Sequence, residues 1–370
     1  MSLAAVRLAN RRPEIFVGWF WFLGLLAPVI GLVRWGSQSM ADRFAYLPLV
    51  GILVMVVWGA AAGSERGGIS VWIRVLTAAV VLGALGFRTR DQLGFWRSSE
   101  TLFRHTLAVS PNNTIALNNL GAWLTVQGRP AEALPWFERA RRVNPESADT
   151  QYNLGNALAG LGRYPEAAGC FEAAVRLRPE YFEARNNLAK ALLRLGRSDE
   201  AIDQYRQALR YQPQAATVRR NLAEALGARG RLAETVEEYR LALKTDPGDS
   251  GAHYSLGLTL AVLGKWDEAI SEYEAALRLT PDRAEAEYNL GYACRVRGRL
   301  GEAETHLRRA LELHAAFPMA RYNLGCVLAD EGRREQAIAE IQEALRLQPD
   351  YAEASAKLGV LKSEEKPPGP

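Results

Sequence analysis

A 34-residue period runs through most of this chain and limits its fold more than any other feature. A Leu followed by Gly or Ala recurs at that spacing, at Leu120-Gly121, Leu154-Gly155, Leu188-Ala189, Leu222-Ala223, Leu256-Gly257, Leu290-Gly291, Leu324-Gly325 and Leu358-Gly359. A second glycine keeps the same period, at Gly128, Gly162, Gly196, Gly230, Gly264, Gly298 and Gly332. So does a proline, at Pro111, Pro145, Pro179, Pro213, Pro247, Pro281 and Pro349. Three features that share one period indicate repeated helical units, each of which buries its apolar side against its neighbours.

Each recurrent residue has a mechanical meaning in a helical hairpin. The Leu-Gly or Leu-Ala pair falls midway along a first helix, where a small residue lets the partner helix approach closely. The second glycine ends that helix, because a left-handed C-cap is unstrained for glycine. A second helix then begins, as in Arg163-Tyr164-Pro165-Glu166-Ala167. The proline cannot continue that helix and closes the hairpin.

This spacing resembles the tetratricopeptide repeat (TPR) family over Thr114–Tyr351. The resemblance implies an all-α fold, a right-handed TPR solenoid, with repeats at 114–147, 148–181, 182–215, 216–249, 250–283, 284–317 and 318–351. We expect a linking helix in 96–113 that resembles a second helix, a capping helix at 352–361, and a disordered tail at 362–370. Repeat six has Ala315 in place of the proline and Pro318 three residues later, so its junction with repeat seven is expected to be displaced.

The first 95 residues read as a membrane domain of transmembrane helices. Apolar stretches at about 15–33, 44–63 and 69–87 approach the roughly 20 residues that cross a bilayer, although the third carries Arg74. Two alternatives stay open for this region, a cleaved signal peptide in the first stretch and a buried helical hairpin. The basic residues that flank the spans are equal in number on the two sides, so charge does not predict the orientation.

The sixth residue of each repeat faces the ligand groove in TPR folds. It is Asn in six of the seven repeats, at Asn119, Asn153, Asn187, Asn221, Asn289 and Asn323, and Ser255 in the fifth. An Asn amide offers a donor and an acceptor, which together satisfy one peptide unit of an extended ligand. The row resembles the asparagine ladder of the O-GlcNAc transferase TPR domain. The alternative is that these amides hydrogen-bond between adjacent helices.

Position five supplies a second candidate set for the groove. It carries tyrosine in four repeats, at Tyr152, Tyr254, Tyr288 and Tyr322. A tyrosine combines apolar area with a polar tip, which suits a peptide-binding surface, but packing between repeats explains it equally well. The sequence therefore predicts a groove that binds a protein or an extended peptide, and it leaves the roles of both rows open.

No pattern of catalytic residues is found, and we expect no cofactor and no metal site. The chain has no Gly-rich phosphate loop, HExxH motif or nucleophile elbow, and its four histidines lack metal-ligand spacing. Its 45 basic and 41 acidic residues give no support for nucleic-acid binding. Cys170, Cys294 and Cys326 each fall inside a repeat helix, so packing is their expected role.

A second resemblance rests on the order of the segments. Ala41-Asp42-Arg43 and Tyr46-Leu47-Pro48, a membrane span, and then Trp96-Arg97 and Glu100-Thr101-Leu102-Phe103-Arg104 lead directly into the repeats. This arrangement is similar to the C-terminal end of the transmembrane-and-TPR protein O-mannosyltransferases, which resemble GT-C glycosyltransferases. Those enzymes transfer mannose from a dolichyl-phosphate-type donor to protein, with the TPR repeats on the lumenal side.

In that family, catalysis depends on an acidic motif in the first extracytoplasmic loop. This motif lies upstream of the region that resembles the present chain. The resemblance implies a membrane-anchored, non-catalytic scaffold or, as the alternative, the acceptor-binding part of an O-glycosyltransferase that a polytopic subunit completes. It also implies a multi-pass protein of a bacterial inner membrane with extracytoplasmic repeats. Asp42 and Arg43 are candidate contacts to lipid headgroups, or else they cap the second span.

Overall fold

The computed structural model describes residues 98–363 and a few residues before them, namely Ser70, Trp72, Ile73, Leu76, Val80, Phe87 and Phe95. The predicted spans at 15–33 and 44–63, with Asp42 and Arg43, lie outside the described residues, and the span at 69–87 is described only at single positions. Among the residues that are described, no helix has the length and apolar character needed to cross a membrane.

The described region is all-α and contains sixteen helices within 98–363. The first four are α1 (Ser99–Val109), α2 (Thr114–Val126), α3 (Pro130–Val143) and α4 (Ala148–Gly160). The next six are α5 (Tyr164–Leu177), α6 (Phe182–Arg194), α7 (Ser198–Tyr211), α8 (Ala216–Ala228), α9 (Leu232–Thr245) and α10 (Ser250–Val262). The last six are α11 (Trp266–Leu279), α12 (Ala284–Val296), α13 (Leu300–Leu313), α14 (Pro318–Asp330), α15 (Arg334–Leu347) and α16 (Ala352–Ser363).

The helices pair into hairpins that repeat without a slip in register. Every first helix from α2 to α14 has 13 residues and every second helix from α3 to α15 has 14. The chain divides into two compact units, Met1–Val143 and Asn144–Pro370. Within the second unit each second helix packs against the first helix of the next hairpin, from α5 on α6 to α15 on α16, which makes an α-solenoid.

The junction between repeats six and seven keeps the common register, and the displacement expected there is absent. Helix α13 ends at Leu313 and α14 begins at Pro318, with four residues between them, as at the other junctions of the second unit. Pro318 occupies the first turn of α14, where its missing N–H would have had no intrahelical partner. A proline at a helix start therefore replaces a proline after a helix end without a change in hairpin length.

The interior of each hairpin is built on a small residue that faces a large one. A Cβ atom added to Gly155 would lie 2.6 Å from Phe171 Cε1, and one added to Gly257 would lie 2.6 Å from Tyr273 Cε1. Phe171 and Tyr273 are each only 1% exposed. The close approach of the two helices, which the Leu-small pair predicts, is thus present in the structure.

The second recurrent glycine ends the first helix in the way the sequence indicates. All seven of these glycines have φ between 72° and 79°, the left-handed region that side chains rarely enter. After α10, for example, the N–H of Gly264 donates to the carbonyl of Ala261, and the N–H of Lys265 donates to that of Leu260, both at 2.9 Å. Such backbone bonds satisfy carbonyls that a helix end leaves free.

The two ends of the array differ slightly in extent from their predicted bounds. The linking helix α1 begins at Ser99, where Ser98 and Thr101 form a capping box. The final helix α16 continues to Ser363, so it includes the first two residues of the predicted tail. Residues 364–370 lie outside the described part of the chain.

Candidate functional site

A groove runs across three consecutive first helices, α4, α6 and α8, and encloses about 630 Å³. Six of its twelve lining residues are amides or charged residues, and two of the others are the buried rings of Phe171 and Tyr205. The lining residues are Asn156, Ala159, Tyr164, Phe171, Asn187, Lys190, Ala191, Leu193, Arg194, Tyr205, Asn221 and Glu224. All twelve belong to the second compact unit.

The repeat itself explains why these side chains meet. Counting from the first residue of each first helix, Asn156, Lys190 and Glu224 all occupy position nine. Helices of equal length in equal register direct the same position toward the same side. Arg194 lies one turn beyond Lys190 and shares its helix face. The groove is therefore a property of the stacked hairpins, whereas its chemistry depends on which residue each repeat places there.

The charges of the groove are few and mostly unpaired. Lys190 and Arg194 are exposed, and neither forms an ion pair with an acidic side chain of the described residues. Glu224 on α8 has Arg220 Nε at 4.0 Å, and its side chain is 57% exposed. Two cations on α6 thus face solvent beside the neutral amides of Asn156 and Asn187.

The predicted asparagine row lies between adjacent first helices, and several of its amides bond there. Asn187 Nδ2 donates to Asn156 Oδ1 at 2.8 Å and to the Tyr152 hydroxyl at 3.3 Å. Asn289 Nδ2 donates to the Tyr254 hydroxyl at 2.9 Å. These bonds each join two repeats, so they support the packing alternative for these amides.

The other members of the row vary in their surroundings. Asn221 Nδ2 donates to Asn186 Oδ1 at 3.1 Å. Asn323 Nδ2 donates to the Met319 carbonyl at 2.9 Å and contacts the Tyr288 hydroxyl at 3.4 Å. Asn153 is half-buried, and Asn119, in the first unit, is exposed. Only Asn187 and Asn221 of the row line the groove, and a role in ligand binding stays a prediction.

The predicted tyrosines pack against the residue that precedes the next first helix. The ring centroids of Tyr152 and Tyr181 are 5.0 Å apart, those of Tyr288 and Phe317 are 4.9 Å apart, and those of Tyr322 and Tyr351 are 5.1 Å apart. The guanidinium of Arg283 lies 3.7 Å from the ring centre of Tyr254. These partners were not predicted, although their fixed spacing of 29 residues after each tyrosine would have revealed them.

Burial favours the neutral form of three of these phenols, those of Tyr254, Tyr288 and Tyr322. It raises the pKa of Tyr254, and it raises the pKa of Tyr288 and of Tyr322 to about 12. A neutral hydroxyl accepts the amide proton of the next repeat and keeps its own proton for donation. None of the four tyrosines is among the residues that line the groove.

In repeats four to seven, a polar bridge at position four joins the first helix to the second helix of the same hairpin. Arg219 Nη1 donates to Glu238 Oε2 at 2.7 Å, and His253 Nδ1 lies 2.6 Å from Glu272 Oε2. The pair is reversed in repeat six, where Glu287 Oε2 lies 2.7 Å from His306 Nδ1. No group of three His, Cys, Asp or Glu side chains within the described residues is arranged to hold a metal ion. Two of the three groove helices are joined to their second helices in this way, α8 through Arg219 and α6 through Arg185, whose Nη1 donates to Gln207 Oε1 at 2.6 Å.

Sequence reasoning missed the residues that give the groove its chemistry. The amide and tyrosine patterns at positions five and six do not include four of the residues that line the groove, namely Asn156, Lys190, Arg194 and Glu224. The signal that would have found them is the helical period, since positions nine and thirteen lie one and two turns beyond position five on the same face.

Two family models, both described as tetratricopeptide repeat, match the chain. The first matches residues 86–148, 152–206, 186–250 and 254–318, and the second matches residues 318–351. Together they account for more than half of the chain and follow the hairpins seen in the structure.

Among characterised relatives, the similarity is partial and concerns TPR regions. The chain is 31% identical over 142 residues to the protein O-mannosyl-transferase Tmtc2 of Drosophila melanogaster, which is 38% of this chain and 15% of that protein. It is 37% identical over 101 residues to TMTC4 of Homo sapiens, which is 26% of this chain and 13% of that protein. The matched part of this chain thus spans less than one sixth of either relative's length.

Among solved structures, the C-terminal part of a TPR repeat-containing protein from Cytophaga hutchinsonii has the same fold. Its TM-score is 0.57, and the match covers 65% of this chain and 99% of that one. The sequence identity is 16%, so the similarity shows the fold alone.

Proposed function

Because the chain belongs to the tetratricopeptide repeat family, we propose that it is a scaffold that binds a protein or an extended peptide in the groove across α4, α6 and α8. The observation that carries this proposal is the open polar groove itself. It combines unpaired cations with asparagine amides on a rigid support.

The dimensions of the groove suit a chain in extended conformation. Its volume of about 630 Å³ is within the range of roughly 300–1,000 Å³ that small-molecule pockets occupy. However, it lies open across three helices, as an elongated ligand needs. Helices fixed by internal packing and by the position-four bridges present the groove without reordering, which limits the entropy lost on binding.

The asparagines have two roles in this proposal. The Nδ2 of Asn221 is used in the bond to Asn186, whereas its Oδ1 has no hydrogen-bond partner among the described residues. The oxygen also retains some contact with solvent, because it is absent from the set of fully buried side-chain atoms without a partner. It is thus open to accept an N–H from a bound peptide. At Asn221, one amide atom then fixes the spacing of the repeats while the other contacts the ligand.

The test is peptide selection on the purified 370-residue chain. A displayed library of random 12-residue peptides yields binders, and their affinity is measured by fluorescence anisotropy. Asn187→Ala combined with Asn221→Ala is expected to weaken binding about twofold to tenfold, as loss of one net hydrogen bond predicts. Circular dichroism checks that the helical content is unchanged.

Gln342→Ala is the matched control, because Gln342 is an exposed amide on α15 outside the groove. It should bind the selected peptides like the parent chain. Equal binding by the double variant and the parent chain would place the ligand elsewhere. Loss of helical content in the double variant would show that the row serves packing alone.

The similarity to the O-mannosyl-transferases favours a second candidate, in which the groove presents acceptor polypeptide to a glycosyltransferase. The test is genetic and biochemical. A neighbouring reading frame that encodes further membrane spans and an acidic extracytoplasmic loop is expected, and its product should co-purify with this chain. Failure of the two to associate would leave the scaffold role alone.

The apolar stretches at 15–33, 44–63 and 69–87 support the further proposal of a membrane anchor. The similarity to the O-mannosyl-transferases supports an orientation that leaves the repeats outside the cytoplasm. In that arrangement Asp42 and Arg43 contact lipid headgroups. The chain should then resist carbonate extraction from membranes. Protease added to intact spheroplasts should digest the repeats, and protection of the repeats would reverse the orientation.

A further inference from the structure

The residues at positions nine and thirteen change character along the first helices of the second unit. On α6 they are the cations Lys190 and Arg194. On α10 they are Leu258 and Val262, and on α12 they are Tyr292 and Val296. Positions nine and thirteen lie one helical turn apart, so each pair forms one small surface on its helix. The same surface is therefore charged in repeat three and apolar in repeats five and six.

The apolar part is exposed to an extent that packing does not explain. Leu258 is 37% exposed, Val262 is 72% exposed and Val296 is 43% exposed. Tyr292 lies beside them, held by Trp266 at 5.9 Å and by Tyr288 at 6.5 Å between ring centroids. Exposed apolar side chains that occupy the same two positions of successive first helices suit a surface that contacts a partner.

The charged part is small and sharply bounded. Lys190 and Arg194 have no acidic partner among the described residues, so they are free to pair with a ligand carboxylate. Asn156 and Asn187 beside them are neutral donors and acceptors. On the next first helix, α8, position nine is Glu224, which repels an anion placed there. An acidic ligand residue therefore fits at α6 and is disfavoured at α8.

We propose that the groove across α4, α6 and α8, together with the exposed face of α10 and α12, binds an extended peptide of two-part chemistry. An acidic residue of the peptide lies against Lys190 and Arg194 on α6, and apolar residues lie against Leu258, Val262 and Tyr292 on α10 and α12. The inference rests on the proposed function. It adds the chemistry of the ligand and the order in which its two parts lie along the first helices. Glu224 separates the two parts and sets the register. Two cations followed by a carboxylate do not suit a nucleic acid, whose evenly spaced phosphates need a continuous basic surface.

Four synthetic fluorescein-labelled peptides of 12 residues test the proposal on the purified full chain. The parent peptide has Glu in one half and Leu and Phe in the other. The second replaces Glu with Gln, the third replaces Leu and Phe with Ser, and the fourth carries both changes. Anisotropy is expected to rank the parent peptide first and the fourth last. Added salt should weaken only the two peptides that contain Glu.

Variants of the protein assign each half of the peptide to the groove or to the exposed face of α10 and α12. Lys190→Gln with Arg194→Gln is expected to weaken the two Glu-containing peptides about threefold to tenfold and to leave the others unchanged. Leu258→Ser with Val262→Ser should weaken only the peptides that contain Leu and Phe. Glu224→Gln should strengthen binding of the Glu-containing peptides about twofold. Arg176→Gln with Arg210→Gln is the charge control, since both arginines are exposed on second helices outside the groove.

The outcomes separate this inference from the proposed function. If selected library peptides bind and depend on Asn187 and Asn221, but all four designed peptides bind alike, the groove is functional and the two-part chemistry is wrong. If the charge control weakens binding as much as the α6 variant does, general attraction to a basic protein overturns the inference. If no library peptide binds, the proposed function itself is wrong.

Discussion

The interior of the hairpins and the face of the groove differ in how strictly they repeat. Inside, a small residue meets a large buried one in each hairpin, as Gly155 meets Phe171 and Gly257 meets Tyr273. At the groove, position nine is Asn156, then Lys190 and Glu224 in the next two repeats, with no common chemistry. Close packing therefore limits the residue types that the hairpin interior accepts, whereas the residue types of the groove are limited only by the ligand that they contact.

The largest expected effect contrasts two tyrosines, one in the hairpin interior and one on the exposed face. Tyr273→Ala removes a ring that is 1% exposed, and it should lower the free energy of unfolding by about 3–5 kcal/mol. Tyr292→Ala removes a partly exposed ring on the outer face of α12 and should cost about 1 kcal/mol. Urea denaturation followed by circular dichroism measures both. Equal losses in the free energy of unfolding for the two variants would contradict the contrast between the hairpin interior and the exposed face.

A smaller effect is expected from a single added methyl group. Gly257→Ala places its Cβ 2.6 Å from a Tyr273 ring that cannot leave, and it should cost about 1–3 kcal/mol. Gly169→Ala is the matched control, because Gly169 lies inside α5 with nothing within 4 Å of the added atom. Alanine is the better helix former, so the control should gain about 0.5–1 kcal/mol. Thermal unfolding of both variants tests the contrast, and a stabilised Gly257→Ala would refute the close packing of this interior.

The smallest effect concerns reactivity and leaves stability unchanged. Burial raises the pKa of the Cys294 thiol to about 11, so it carries about a hundredfold less thiolate near neutral pH than a thiol of ordinary pKa 9.0. Iodoacetamide at pH 8 should leave Cys294 unlabelled in the folded chain, as peptide mass spectrometry reports site by site. Raising the pH toward 11 should increase labelling. A cysteine introduced by Gly169→Cys is the exposed control, and equal labelling of both sites would contradict the buried assignment.

The groove residues show which features of the structure could be predicted from the sequence and which could not. The recurrent glycines predicted their left-handed C-caps, and the Leu-small pairs predicted the close helix approach, because each depends on one residue type at one backbone position. Asn187 was a candidate on its amide chemistry, yet its Nδ2 bonds Asn156 in the neighbouring repeat. Lys190 was passed over, although it faces the groove. Residue type alone does not distinguish a side chain between helices from one that faces the ligand.

The sequence by itself determined the number, length and order of the hairpins, because a 34-residue unit with a fixed helix stop has one way to bury its apolar side. Only the tertiary structure decided which polar atoms are used in packing and which stay open. That choice depends on how closely neighbouring first helices approach and on which side chains reach across, as Asn289 reaches Tyr254. Such contacts join residues 35 positions apart and have no signal in the local pattern.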